Sequence, residues 1–285
     1  MVIQNYYKLT KPGIIKGNIL VALAGFCLGS DGDIVANKLF WTLLGTSLVI
    51  AGGCVINNVL DSDIDKLMPR TQNRATATGK ISKIRANIFG LGLTVLGLAA
   101  LLKFVNLKTT LIGLIGWVTY VYVYTYAKRR TVYSTIIGGI AGATPPVAGY
   151  VAAVNDLDLV AVMLFSILSC WQIPHFYAIS IFRFKEYKNT KLPIFAMRKG
   201  ILATKKQIIV FCSLFVMIVP LLSLVGVSGW SYLIIMSLVS LSWLKLALTG
   251  LNAANDSIWA KSVFGHSIKV LSIFSLLLIF ESILP

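Results

Sequence analysis

Long apolar runs alternate with short polar breaks along the whole chain, and the runs recur at a length that suits a lipid bilayer. A membrane-crossing helix needs about 20 mostly apolar residues. Stretches of that kind occupy 14–29, 39–60, 84–102, 109–127, 134–153, 159–182, 207–226, 231–250 and 263–283. The pattern predicts an all-α membrane protein, a bundle of nine transmembrane helices forming a single polytopic domain over 1–285.

Composition agrees with that reading. The chain is 57% hydrophobic and only 13% charged, about half the charged fraction of an ordinary soluble domain. Its net charge of +16 could suggest a nucleic-acid partner, but the distribution argues for topology instead. Placing the N-terminus in the cytoplasm puts all but Lys38, Lys103 and Lys108 of the 26 basic residues on or near the cytoplasmic side. The positive-inside rule then gives a cytoplasmic N-terminus, a C-terminus on the opposite face and no nucleic-acid role.

"ALA" at Ala22–Ala24 mimics a signal-peptide cleavage site, but Lys16, Gly17 and Asn18 interrupt the apolar core such a peptide needs. The first helix is therefore expected to be retained. Cys27, Cys54, Cys170 and Cys212 all lie inside apolar runs without close spacing, so they read as small buried hydrophobes rather than metal ligands or a disulfide framework. No internal repeat or soluble domain is evident, and the two longest polar breaks, 61–83 and 183–206, fall on the same face.

The first of those breaks carries the chemistry. In "INNVLDSDIDKLMPRTQNR", Ile56 to Arg74, the residues Asn57, Asp61 and Asp65 recur every four positions. On a helix continuing from the second span they form one stripe, with Asp63 pointing elsewhere. Two carboxylates and an amide oxygen make a hard, oxygen-only donor set suited to Mg2+, with substrate phosphates completing the shell. Acids placed so close to a membrane are costly and usually functional, although a solvated helix end is the alternative. Arg70 and Arg74, also four apart, could clamp an anion or simply anchor the basic face.

Tyr124 and Lys128, in "YVYVYTYAKRRT", project together from the fourth span and could neutralise a diphosphate held by the acids. Trp117 and Tyr120 extend that face inward as an aromatic wall suited to an isoprenoid tail or a carbocation. Gly138 and Gly142 form a small-xxx-small pattern followed by Pro145 and Pro146, which predicts close helix packing and a kink. His175 lies within the sixth span beside Trp171, Gln172 and Pro174. Such a histidine can ligate a haem iron, act as acid or base, or bond a neighbouring helix. His266 reads as interfacial.

Taken together, "YYKLTKPGIIKGN", "NNVLDSDIDKLMPRTQNR", "YTYAKRRT", "GGIAGATPPVAGY" and "WQIPHFYAISIFRFKEYKNTKLPIF" resemble the haem O synthases, the haem-directed branch of the UbiA-type intramembrane prenyltransferases. The resemblance runs from about residue 6 to 206. It implies a nine-helix bundle in a bacterial inner membrane, with a central cavity open toward the cytoplasm and laterally to lipid. Asn57, Asp61 and Asp65 would hold one or two Mg2+ ions and the diphosphate of farnesyl diphosphate, while Arg70, Arg74, Tyr124 and Lys128 help it leave. The allylic cation would be attacked by the 2-vinyl group of haem b and the product cation quenched by water.

Most of the superfamily has a second aspartate-rich motif after the sixth span, where this chain reads "RFKEYKNTKLP" with Glu186 as the only acid. Members resembling the haem branch share that change, and it leaves Arg183, Lys185, Lys188 and Lys191 as candidate holders of diphosphate or haem propionates. The resemblance likewise favours haem contact among the readings for His175, extends it to Trp171 and Gln172, and suggests haem A synthase or a terminal oxidase as protein partners. Two other functions remain. Prenylation of 4-hydroxybenzoate or a quinone precursor predicts an acidic second loop, and a transporter with a cation at Asp61 and Asp65 predicts ionisable residues near the midplane of several helices.

Overall fold

A backbone crossing lipid finds no hydrogen-bond partner outside itself, so each apolar run closes its own ladder as a helix. A computed structural model describes residues 2–283. Among them are nine helices long and apolar enough to cross a membrane: α1 Pro12–Ser30, α2 Ala36–Leu60, α3 Lys83–Phe104, α4 Leu107–Arg130, α5 Ser134–Val154, α6 Leu159–Phe182, α7 Ile201–Leu224, α8 Trp230–Asn252 and α9 Asp256–Ile283. A short amphipathic helix, Val2–Leu9, precedes them. The α4 span is interrupted by a π-helical turn, Thr119–Tyr124.

Two spans begin earlier than hydropathy suggests, at Ile201 and Asp256 rather than 207 and 263. The cause is a charge pair between a buried lysine and a half-buried aspartate. Lys205 Nζ lies 2.5 Å from Asp256 Oδ1 and donates to the Gly250 carbonyl at 2.6 Å, so three helix ends meet around a neutralised lysine that a hydropathy window counts as a break.

The starts of α1, α3, α5, α7 and α9 share one face with the ends of α2, α4, α6 and α8. Lys38, Lys103 and Lys108 belong to the other face, where Lys108 pairs with Asp156 at 2.6 Å and Lys38 donates to the Ala153 carbonyl at 3.3 Å. Lys269, grouped with the basic face by sequence, sits halfway along α9 and is exposed. Helical side chains tilt toward the helix N-terminus, which here lies on the basic face, so its long stem can reach that way.

Lipid gives helices little hydrophobic reason to associate, so close backbone approach carries the packing. On α1 and α5, a Cβ at Gly25 would fall 2.9 Å from the Pro146 carbonyl carbon, and one at Gly149 would fall 2.8 Å from that of Ala22. The small-xxx-small pair Gly138 and Gly142 serves differently from its expected helix-to-helix role. A Cβ at Gly138 would meet the Tyr124 ring at 2.6 Å, and one at Gly142 would lie 3.2 Å from Gln172 Cδ. These glycines make room for two side chains rather than for a backbone. The α5 helix runs on through Pro145 and Pro146. Pro145 cannot donate to the Ala141 carbonyl, and the Thr144 hydroxyl does so instead at 2.9 Å.

Replacing Gly149 by Val drives a branched side chain into the α1 backbone, an overpacking cost of about 1–3 kcal/mol or more. Thermal unfolding in detergent should show a clearly lowered midpoint; an unchanged midpoint would mean that α1 and α5 are not held by this contact.

Candidate active site

The four-residue stripe survives the end of α2. Asp61 opens the backbone at φ −95°, ψ 4°, and a short turn, Ser62–Asp65, resumes it. The ladder nevertheless continues, with Asp61 N–H bonded to the Asn57 carbonyl at 2.9 Å and Asp65 N–H to the Asp61 carbonyl at 2.8 Å. Asn57, Asp61 and Asp65 are consequently all buried. Asp63 points outward, where Arg129 grips both its oxygens at 2.8 Å. That hydrogen-bonded guanidinium holds the Asp63 carboxyl down at about 2.

A buried carboxylate needs compensation, since desolvating a lone charge costs several kcal/mol. Here each member of the stripe has its own cation. Lys128, from α4, forms an ion pair with Asp61 in which both side chains are nearly sealed from solvent. Arg74 places one guanidinium nitrogen 2.8 and 2.9 Å from the two oxygens of Asp65. Lys11 donates to Asn57 Oδ1 at 2.8 Å. The loop that delivers Arg74 is tied back by Thr71, bonded to the Asp65 carbonyl at 3.0 Å, and by Thr76, bonded to the Asn58 carbonyl at 3.2 Å.

Lys11 was expected only as a topological charge. Its backbone is left-handed at φ 54°, a conformation costing a non-glycine residue about 1–2 kcal/mol. The turn is held because Leu9 packs with Val55, Val59 and Ile81 and its carbonyl accepts from Asn58 Nδ2 at 2.8 Å. Burial lowers the Lys11 ammonium to about 8.

The π turn shapes the opposite wall. Tyr120 and Tyr124 stack with centroids 6.0 Å apart and rings 7° from parallel. The Tyr120 hydroxyl donates to Asn57 Oδ1 at 3.2 Å, and Lys128 Nζ lies 5.5 Å from the centre of the Tyr124 ring. Gly53 leaves the α2 face open to Trp117 and Tyr120, whose ring atoms lie 3.2 and 3.3 Å from where its Cβ would be. The Trp117 indole N–H is buried without a partner among the described residues. On the outer side of the same turn, Tyr122, Val123, Tyr126 and Arg130 line a groove of about 680 Å³.

The donor set suits a hard divalent ion. Among the described residues Asp61 Oδ1 is buried and accepts no hydrogen bond; Arg129 Nη2 faces it at 3.9 Å, beyond hydrogen-bond reach, so it has a lone pair to give. No cluster of three or more His, Cys, Asp and Glu side chains occurs among the described residues. The two carboxylates and one amide would need outside oxygens, which is how Mg2+ is usually held beside phosphates.

Other expected residues lie apart. Arg70 is exposed and close enough to Tyr187 to lower its phenol, although burial raises that group overall. Lys185 and Lys188 are exposed on the short helix Phe184–Lys188, and among the described residues neither has a polar side-chain contact with the stripe. Arg183 is engaged with Glu186 at 2.9 Å. The structure divides the expected haem contacts. Gln172 is buried and faces α5, donating to the Gly139 carbonyl at 2.6 Å. Trp171 and His175 stack at 4.8 Å and face α9. There Trp171 Nε1 donates to the Ser267 carbonyl at 2.8 Å, and His175 Nδ1 lies 2.7 Å from Ser267 Oγ.

Lys11, Thr125, Arg129 and Tyr187 were not singled out from sequence. Only Lys11 left a usable signal, a charged residue directly before Pro12 at the mouth of the first span.

A family model described as the UbiA prenyltransferase family matches residues 18–269. The protoheme IX farnesyltransferase of Yersinia pestis (strain Pestoides F) is 44% identical over 98% of this chain and 94% of its own length. That of Protochlamydia amoebophila (strain UWE25) is 42% identical, covering 97% and 98%. Among solved structures, a digeranylgeranylglyceryl phosphate synthase superposes with a TM-score of 0.83 at 21% identity, covering 99% and 98% of the two chains. A UbiA homolog from Archaeoglobus fulgidus bound to GPP and Mg2+ gives 0.70 at 17% identity, covering 97% and 99%.

Charge pairing at the stripe predicts a specific stability pattern. Lys128→Met leaves the buried Asp61 carboxylate with only the Arg129 guanidinium, 3.9 Å away, and should destabilise the protein by up to about 3–5 kcal/mol. Adding Asp61→Asn should recover most of that loss without restoring activity. Equal unfolding midpoints for Lys128→Met and the wild type would show that the pair is not a buried one.

Proposed function

Because the chain belongs to the UbiA prenyltransferase family, we propose that it transfers the farnesyl group of farnesyl diphosphate to haem b, the reaction its relatives are named for. The observation that carries this reading is the paired stripe: three oxygen-bearing side chains each bonded to a cation, with Asp61 Oδ1 accepting no hydrogen bond among the described residues. The basic face is assigned to the cytoplasm of a bacterial cell, where positive charge is retained, so the diphosphate enters from that side.

Asn57, Asp61 and Asp65 would hold Mg2+, whose charge would offset that of the departing diphosphate. Lys128 and Arg74, released from the carboxylates, turn to the diphosphate oxygens. Lys11, released from Asn57, joins them. Breaking the bond between the farnesyl C1 and the diphosphate oxygen leaves an allylic cation, which the stacked Tyr120 and Tyr124 rings and Trp117 stabilise through their π faces. The 2-vinyl carbon of haem b forms the new carbon–carbon bond. Water adds to the cation left on the vinyl group and loses a proton, and diphosphate departs.

We take His175 as the candidate haem contact. Ser267 Oγ donates to the Phe264 carbonyl at 2.6 Å, so its contact with His175 requires Nδ1 to be the donor. Nε2 then keeps its lone pair. The residue lies seven positions before the end of α6 at Phe182, about 10 Å below the basic face at 1.5 Å per residue. This depth suits an acceptor held below the diphosphate.

The decisive assay supplies haem b and farnesyl diphosphate to membranes containing the enzyme and detects the farnesylated, hydrated haem by mass spectrometry. Product should form with Mg2+ and vanish with EDTA, and Asp65→Asn should lower turnover by at least about 100-fold. Product formed equally well in EDTA would remove the metal site. His175→Phe should weaken haem binding while leaving the affinity for inorganic diphosphate unchanged; an unaltered haem titration would return His175 to a packing role.

A further inference from the structure

Asn57 can ligate a cation only through Oδ1, because its amide nitrogen is a donor. Which way an amide lies is decided by the partners around it. On one side stand Lys11 Nζ at 2.8 Å and the Tyr120 hydroxyl at 3.2 Å. On the other, Asn57 Nδ2 lies 3.2 Å from Thr125 Oγ1, and both residues are buried.

The Thr125 hydroxyl has one proton, and it is committed elsewhere. It bonds the Tyr120 carbonyl at 3.2 Å, five residues back across the π turn. Toward Asn57 it can therefore only accept. A threonine in a regular α-helix reaches the carbonyl three or four residues back. The wider turn also rotates everything beyond it by about 100° relative to an uninterrupted α-helix, so Thr125 reaches the stripe from the same helix as Tyr120. Localised π turns of this kind are frequent at functional sites.

We propose that Thr125 is the positioning residue that fixes the Asn57 amide with Oδ1 toward the metal, and that the π turn in α4 exists to deliver an acceptor-only hydroxyl to it. This rests on the reading of Asn57 as a metal ligand given above. Thr125 touches neither metal nor substrate; it acts through Asn57. A valine there has the same shape and no acceptor, and a serine has the acceptor and less bulk.

The test uses Mn2+ with inorganic diphosphate, read by the loss of the free Mn2+ electron paramagnetic resonance signal, on the full chain in lipid nanodiscs and without turnover. Removing a group that orients a metal ligand weakens metal affinity by about 10–100-fold. Thr125→Val should fall in that range and Thr125→Ser within about threefold of wild type. Thr125→Ala is measured alongside, so that poor folding of the valine variant does not decide the result. Wild-type affinity in both the Val and Ala variants overturns the positioning role, as does a Ser variant no better than Val. Asp61→Asn separates the two claims. If it binds Mn2+ as tightly as wild type, the metal reading itself fails and the role of Thr125 falls with it. If Asp61→Asn loses binding while Thr125→Val keeps it, only the positioning role is wrong.

Discussion

Two carboxylates buried at the end of a membrane helix cannot stand alone, and the rest of this site is arranged around that fact. Asp61 and Asp65 sit under an apolar bundle where each unpaired charge would cost several kcal/mol. The chain answers with one cation per stripe residue, each drawn from a different segment: Lys11 before α1, Arg74 in the loop after α2, and Lys128 at the end of α4. Stability and readiness to bind are thereby coupled, because the groups that neutralise the acids are the same ones a diphosphate would need.

The irregular features of the fold make sense as means of reaching that arrangement. The left-handed Lys11, the opening of the backbone at Asp61 and the π turn at Thr119–Tyr124 all break regular geometry within one small region. Strain of this kind persists only where the surroundings hold it in place. Here Leu9 packing, the Asn58 bond to its carbonyl and the glycine clearances at Gly53 and Gly138 do so. Away from the site, α1 and α5 pack backbone to backbone, which gives the stripe a rigid frame.

Much of this could be read from sequence because lipid imposes strong rules. Nine apolar runs gave nine spans, and the four-residue spacing of Asn57, Asp61 and Asp65 placed them on one face with Asp63 directed away. Hydropathy misjudged the starts of α7 and α9 because Lys205 and Asp256 neutralise each other only in three dimensions. Gly138 and Gly142 matched a packing motif, yet their space is filled by Tyr124 and Gln172. No spacing rule could show that, since it depends on which side chains arrive from α4 and α6. The π turn was invisible for a similar reason: one extra residue per turn leaves no mark in a run of tyrosines and valines. Lys11 was visible, but one basic residue among 26 looks topological until its partner is known.

Exchange of partners at the stripe is the central claim, and it can be observed directly. Solid-state NMR with 15N-lysine and 13C-aspartate labels would follow the contact between Lys128 Nζ and the Asp61 carboxyl in lipid, before and after addition of Mg2+ and inorganic diphosphate. Partner exchange predicts a close contact without ligand that is lost on loading, replaced by a 15N–31P coupling from Lys128 to the diphosphate. Lys128 remaining on Asp61 with metal and diphosphate bound would contradict it.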